Sequence, residues 1–315
     1  MNLKDEILKG NRLALSKAIT LLESNLETDR AKAMKLVSQC TINSGKSIRI
    51  GISGSPGVGK STFIDSFGKL LTSQEKKIAV LAIDPSSERT YGSILGDKSR
   101  MTNLAADKNA FIRPSPSKGI LGGIAQFTRD SVILCEAAGF DIIIIETVGV
   151  GQSETKVNNI VDFFLLLILS GAGDGLQGIK RGIIELADLI TITKTDGNNI
   201  DKAKEAKQEY IQALQLFPLK DNGWKPIVTT CSAIKNEGIK KISEKIYSYD
   251  KIMNMNGWKN QKREQQDVYW LHHNIKHELG ERRYNELHKN KNIQSLEKMI
   301  KEKPIYEIIS SLYKS

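Results

Sequence analysis

Cysteine is scarce and scattered. The 315-residue sequence has three, Cys40, Cys135 and Cys231, far apart and in no C-x-x-C pairing. That pattern excludes a disulfide framework and a cysteine-based zinc site. Long apolar runs are also missing: the longest, 163–169, falls far short of the roughly 20 residues a membrane-spanning helix needs. Residues Met1 to Glu6 are charged and lack the apolar segment of a signal peptide. A reducing, cytoplasmic location with no membrane partner is the expectation. Aromatic residues make up 6% of the chain, and no basic stripe is interleaved with them, as a nucleic-acid surface would require. The formal charge of +10, from 46 Lys and Arg against 36 Asp and Glu, is spread over lysines that often sit beside acids. It reads as a solvated surface, and no nucleic-acid partner is expected. No internal repeat is visible, which argues against a solenoid.

The length and the 40% hydrophobic content suffice for a large core without staples. Three zones divide the chain. Residues 1–45 are polar with helical spacing (Leu13, Ile19, Leu21, Leu22, then Ala31, Ala33, Leu36) and read as an N-terminal helical extension. Residues 46–250 alternate short β-branched runs with helical stretches. Residues 251–315 are lysine-rich, helical again, and carry all four histidines. Strands are predicted over 47–53, 77–84, 110–114, 141–147, 163–170, 189–193 and 226–231. Several are continuous apolar runs, the tetrad Ile142 to Ile145 being the clearest. Strands apolar on both faces belong to a parallel sheet covered by helices on each side. The expected fold is therefore a three-layer α/β domain with a mostly parallel sheet, binding ligands at the carboxyl ends of its strands.

Directly after the first predicted strand comes Gly54-Ser55-Pro56-Gly57-Val58-Gly59-Lys60-Ser61, followed by Thr62 and a helical stretch over 62–71. This is G-x-x-x-x-G-K-S in the strand–loop–helix setting the motif requires. Its glycines let backbone N–H groups turn inward around a phosphate, and the helix N-terminus adds partial positive charge. Lys60 is assigned to the β- and γ-phosphates, and Ser61 to Mg²⁺. After the strand 189–193 stands Thr193-Lys194-Thr195-Asp196, where P-loop GTPases carry N-K-x-D. The Asp196 carboxylate matches the paired donors of a guanine edge, and the Lys194 stem would pack on the base. Adenine leaves such polar groups unpaired. Thr193 replaces the usual Asn and is expected to support the loop only in part. Ser232 and Ala233, after the last strand, match the segment whose backbone amide reads the guanine carbonyl.

Carboxylates at strand ends complete a Mg²⁺ shell. Asp84 ends the second strand, and Glu146 ends the Ile-rich one, opening Glu146-Thr147-Val148-Gly149. Asp97 lies in the polar loop 85–100, a candidate first switch. Two further loops, 114–123 and 170–180, are glycine-dense and sit on the same edge. The i, i+4 pair His273 and His277, with His272 and His288 nearby, could share a helix face. No carboxylate cluster completes a metal site there, so a solvated or dimer-interface face is the expectation.

Together these segments resemble one family, the MeaB/ArgK-type GTPases associated with methylmalonyl-CoA mutase. The resemblance covers roughly residues 10–285. It rests on Gly51 to Ser61, Ala82 to Ser87, Gly92 to Met101, Arg113 to Pro116, Leu121 to Gly123, Gly171 to Asp174 and Leu176 to Lys180. Above all it rests on Glu146-Thr147-Val148-Gly149-Val150-Gly151-Gln152-Ser153-Glu154. It implies a homodimeric, Mg²⁺-dependent GTPase that chaperones an adenosylcobalamin-dependent acyl-CoA mutase, gating cofactor loading and protecting or reactivating the enzyme. The family's magnesium acids fall on Asp84, Asp97 and Glu146. Its mutase-facing switch falls on 174–180, where Gln177 and Lys180 match. Thr193, Gly175, Lys118 and Ile120 depart from the family pattern. Lys60, Asp97 and Glu146 are the expected catalytic residues. Hydrolysis should be slow and partner-stimulated, because no side chain is an evident strong base. The competing readings are a nickel-insertion GTPase, which predicts a transition-metal site, and an ATP-dependent small-molecule kinase, which predicts adenine binding.

Overall fold

The computed structural model describes residues 2–84, 101–116, 121–147, 154–170, 181–290 and 292–313. Its centre is a seven-stranded sheet in which every pairing is parallel, in the order β3-β2-β4-β1-β5-β6-β7. The strands are β1 (Ile48–Gly54), β2 (Ile78–Asp84), β3 (Ala110–Pro116), β4 (Ile142–Glu146), β5 (Phe163–Leu169), β6 (Leu189–Thr193) and β7 (Ile227–Thr230). All seven predicted strands are present, most with ends displaced by a residue.

The isoleucine tetrad shows why the strands are apolar throughout. A strand turns successive side chains to opposite faces. Ile142 and Ile144 enter one apolar cluster, while Ile143 and Ile145 enter the other. The first face is covered by α4 (Lys60–Ser73) and the helix Ile239–Met255. The second is covered by α1 (Leu3–Leu8), α2 (Arg12–Glu23), α3 (Glu27–Thr41), the helix Leu121–Ala137, and the C-terminal helices Trp258–Lys289, Asn292–Met299 and Ile305–Leu312. The terminal helices are thus part of the central core: Leu15, Trp270 and Ile308 share a cluster with Ile143 and Phe164. The helix from Trp258 is kinked at Gly280, whose φ of 79° breaks the helical path.

The C-terminal segment is clipped to the amino edge of the sheet by charge. Arg263 donates from Nε and Nη2 to both oxygens of Asp162, at 2.8 and 2.6 Å, just before β5. It also donates to the carbonyls of Gly45 and Ser47, at 2.6 and 2.7 Å, just before β1. Alongside, Arg49 makes a two-bond pair with the buried Glu136 at 2.9 and 2.8 Å. Two-pronged pairs of this kind are the strong form of ion pair. Burial pushes the Asp162 pKa up, but Arg263, with Arg49 and Lys259 close by, outweighs it and holds the carboxyl at about 2. Among the described residues no helix is long and apolar enough to cross a membrane.

Removing one partner of a buried pair leaves the other charge uncompensated. Asp162→Ala is expected to lower unfolding free energy by about 3 kcal/mol, read by urea denaturation at neutral pH. An acid whose folded pKa is depressed contributes stability above its unfolded value of about 4 and loses it as pH falls. The wild type should therefore shed about 2 kcal/mol between roughly pH 4 and pH 2 that the variant never had; equal acid sensitivity of the two proteins would refute the assignment.

Candidate nucleotide site

The site forms where β1 leaves the sheet. β1 lies between β4 and β5, and the chain turns at Gly54 into the loop leading to α4. A Cβ at Gly54 would lie 2.4 Å from the Leu167 carbonyl of β5, so only glycine lets the strand exit this close to its neighbour. Gly59 takes φ 94° as the residue before α4 and sets the helix N-terminus against the loop. The predicted helix at 62–71 is longer by two residues at each end. Its first two residues are Lys60 and Ser61, which turns both side chains toward the phosphate-binding loop.

Lys60 reaches back across that loop. Its Nζ donates to the carbonyls of Gly54 and Ser55 at 2.7 and 3.3 Å. Burial lowers its pKa, while the Glu146 and Glu154 charges pull it upward. An ammonium held by two neutral carbonyls in a half-buried cleft is poised to exchange them for phosphate oxygens, a stronger charge-assisted pairing. Ser61 Oγ donates to Glu146 Oε1 at 3.2 Å. Glu146 pairs in register with Ile52 of β1 and Ala82 of β2, which brings the end of β4 to the start of α4. Asp84 closes β2, the strand beside β4.

Hydroxyl and carboxylate oxygens are the hard donors that Mg²⁺ selects. Ser61 and Glu146, already in contact, fit such an ion, and Asp84 lies on the adjoining strand. When bound, Mg²⁺ supplies charge neutralisation at the phosphate oxygens. Asp97, Gln177 and Lys180 lie outside the described residues, as do the loop 85–100 and most of 170–180.

The base side is assembled from three strand ends. Thr193 Oγ1 donates within reach of two carbonyls, Val58 at 2.8 Å and Ile168 at 3.2 Å, and is buried. The single hydroxyl proton therefore ties β6 to the phosphate loop, with the β5 carbonyl as the alternative acceptor. Lys194 adopts φ 54° and donates from Nζ to the Gly57 carbonyl at 2.9 Å, its stem passing near Gly59. Asn199 secures the turn by donating to the Lys194 carbonyl at 2.9 Å and to Ser170 Oγ at 2.6 Å. Asp196 accepts a hydrogen bond from the Ser232 hydroxyl, and Thr195 N–H donates to the Cys231 carbonyl at 3.2 Å. The Ala233 carbonyl is held by Ser66 of α4 at 2.8 Å. Gly54, Ser55, Pro56, Gly57, Val58, Gly59, Lys60, Ser61 and Thr62 thus converge with Lys194, Asp196, Ser232 and Ala233 on one edge of the sheet.

One buried cluster was not evident from the sequence. Ser53, Thr147 and Glu154 form a buried polar cluster behind the loop. Thr147 Oγ1 lies 3.0 Å from Ser53 Oγ, which lies 3.4 Å from Glu154 Oε1. Glu154 is 1% exposed. Its place at the end of the string opened by Glu146 was the available signal. The C-terminal histidines are engaged within the chain: His272 bonds Tyr284 Oη and Glu297 Oε1, both at 2.8 Å, and the rings of His273 and His277 stack. Among the described residues no group of three His, Cys, Asp or Glu side chains is placed to hold a metal.

Two substitutions test this geometry by GDP titration calorimetry. Thr193→Val keeps the shape and removes the hydroxyl, leaving the Val58 carbonyl short of its partner. It should weaken GDP by about 1–2 kcal/mol, while Thr193→Asn, which restores a donor, should recover most of the loss. Gly54→Ala should abolish GDP binding altogether, because the added methyl group meets backbone and not a movable side chain. Wild-type affinity in Thr193→Val would show that the clasp does not shape the site.

Comparison with known proteins agrees with this architecture. Residues 15–288 match the family model described as "Methylmalonyl Co-A mutase-associated GTPase MeaB". The chain is 46% identical over 271 residues to the Escherichia coli protein named GTPase ArgK, covering 86% of this chain and 82% of that one. It is 46% identical over 275 residues to the mouse mitochondrial methylmalonic aciduria type A homolog, covering 84% of this chain and 66% of the mouse protein. Among solved structures, one titled as an LAO/AO transport system kinase superposes with a TM-score of 0.77 at 34% identity, covering 99% of this chain and 97% of that one. The family model spans most of the chain, and the chain therefore belongs to the MeaB family of methylmalonyl-CoA mutase-associated GTPases.

Proposed function

We propose that this protein is a Mg²⁺-dependent GTPase that chaperones an adenosylcobalamin-dependent acyl-CoA mutase, methylmalonyl-CoA mutase in the first instance. In this reading it gates cofactor loading and protects or reactivates the enzyme. The observation that carries the nucleotide half is the joint between Thr193 and the Val58 carbonyl. It holds the phosphate loop and the Asp196–Ser232 pair in one rigid frame, as a guanine nucleotide spanning both would require. The mutase half rests on family membership, whose description names methylmalonyl-CoA mutase.

In this reading water attacks the γ-phosphate in line. Lys60 stabilises the charge that develops on the phosphate oxygens, and Glu146 and Ser61 fix the oxygen side of the cleft. Asp97 completes the metal shell, while Gln177 and Lys180 report the nucleotide state to the mutase. Among the described residues no side chain beside the phosphate loop is an evident strong base, and in this reading basal turnover is slow and rises on the mutase. Dimerisation through residues 251–315 belongs to the same reading, as does a cytoplasmic setting.

Titration with GDP and then ADP, each with Mg²⁺, tests the base assignment. GDP should bind at least about a hundredfold more tightly, or about 2.7 kcal/mol, and Asp196→Ala should erase most of that gap. Lys60→Ala should lower single-turnover GTP hydrolysis by about 10²–10³-fold. A co-purified mutase should accelerate the wild type and not the variant. Equal GDP and ADP affinity would reopen the kinase reading.

A further inference from the structure

A second concave site lies at the opposite edge of the sheet from the nucleotide. It is a cleft of about 550 Å³, within the usual range for small-molecule pockets. Asp188 and Pro226, the residues just before β6 and β7, line it, which places it at the amino ends of those strands. Its apolar walls come from Leu186, Leu214, Phe217, Tyr249 and Trp258.

The charges inside are unevenly satisfied. Asp188 is engaged at both oxygens: Oδ1 takes Lys220 at 2.7 Å and Oδ2 accepts the Phe164 N–H at 2.9 Å. Lys220 is used as well, donating also to the carbonyls of Leu186 and Ala187 at 3.0 and 2.9 Å. Asp162 is committed to Arg263. Lys262 is different. Its ammonium has three donors and makes one hydrogen bond, to the Asp162 carbonyl at 3.0 Å. Burial lowers its pKa against the pull of Asp188 and Asp162. The other charged side chains at the cleft, Glu185, Asp221 and Lys225, are exposed at its rim. One under-used, half-buried cation in an apolar-walled cleft is complementary to a ligand with one anionic head and an apolar body.

We propose that this cleft binds a small amphipathic carboxylate, its head group on Lys262 and its hydrocarbon part against Leu214, Phe217 and Trp258. The site is separate from the nucleotide site and independent of the functional reading above.

The test is calorimetric titration of the full chain with octanoate and, as the uncharged counterpart, 1-octanol. One octanoate should bind per chain, with 1-octanol at least tenfold weaker. Lys262→Met should bring octanoate down to the level of the alcohol. Leu214→Trp, which fills the apolar wall, should weaken both ligands. Circular dichroism melts establish that each variant folds, and if Lys262→Met does not, Leu214→Trp carries the test alone. Absence of saturable octanoate binding, equal affinity for octanoate and 1-octanol in the wild type, or undiminished octanoate binding in a folded variant would overturn the proposal.

Discussion

The closeness of β1 to its neighbours governs this molecule. β1 is hydrogen-bonded to β4 on one side and β5 on the other, and both its faces are buried under helices. A strand enclosed on four sides can release the chain only at its carboxyl end. There the neighbouring backbone is so near that Gly54 has room for no side chain. The phosphate loop, the start of α4 and the positions of Lys60 and Ser61 all follow from that exit.

The base side depends on the same crowding in a different way. β6 does not touch β1; β5 stands between them. Thr193 bridges the gap, its hydroxyl meeting a carbonyl of the phosphate loop and one of β5. A small β-branched side chain suffices because the loop lies directly against the strand end. The two halves of the site are thus joined directly through one side chain. Lys194 and Asn199 reinforce the joint from the solvent side.

The two edges of the sheet have divided roles. The carboxyl edge carries glycines at positive φ, a lysine held by neutral carbonyls, and a serine–carboxylate contact. The amino edge carries the two-pronged Arg263–Asp162 pair, which fastens the C-terminal helix, and the Arg49–Glu136 pair, which fastens β1 to the helix Leu121–Ala137. The under-used Lys262 is the exception on the fastened edge, and for that reason it marks a second site.

The strands were legible in the sequence because continuous runs such as Ile142 to Ile145 have only one stable setting, between two helical layers. The phosphate loop was legible for a related reason: its glycines, Lys60 and Ser61 are consecutive, so local chemistry alone defines it. Thr193, Asp196 and Ser232 could be named from their order, but not what each would touch. Whether the Thr193 hydroxyl could stand in for an amide depended on its distance to Val58, 135 positions earlier, and only tertiary packing sets that distance. The flanks divided in the same way. Helical spacing marked residues 1–45 and 251–315 as helices, yet read as extensions. Their entry into the core beside Ile143 and Phe164 could not be read, because an amphipathic stripe shows that a helix has an apolar face and not which surface will cover it. Glu154 stayed unassigned, and the cleft around Lys262 unseen, for the same reason. Sequence determined which local elements form and which chemistry they carry; tertiary structure decided which distant backbone groups come close enough to use it.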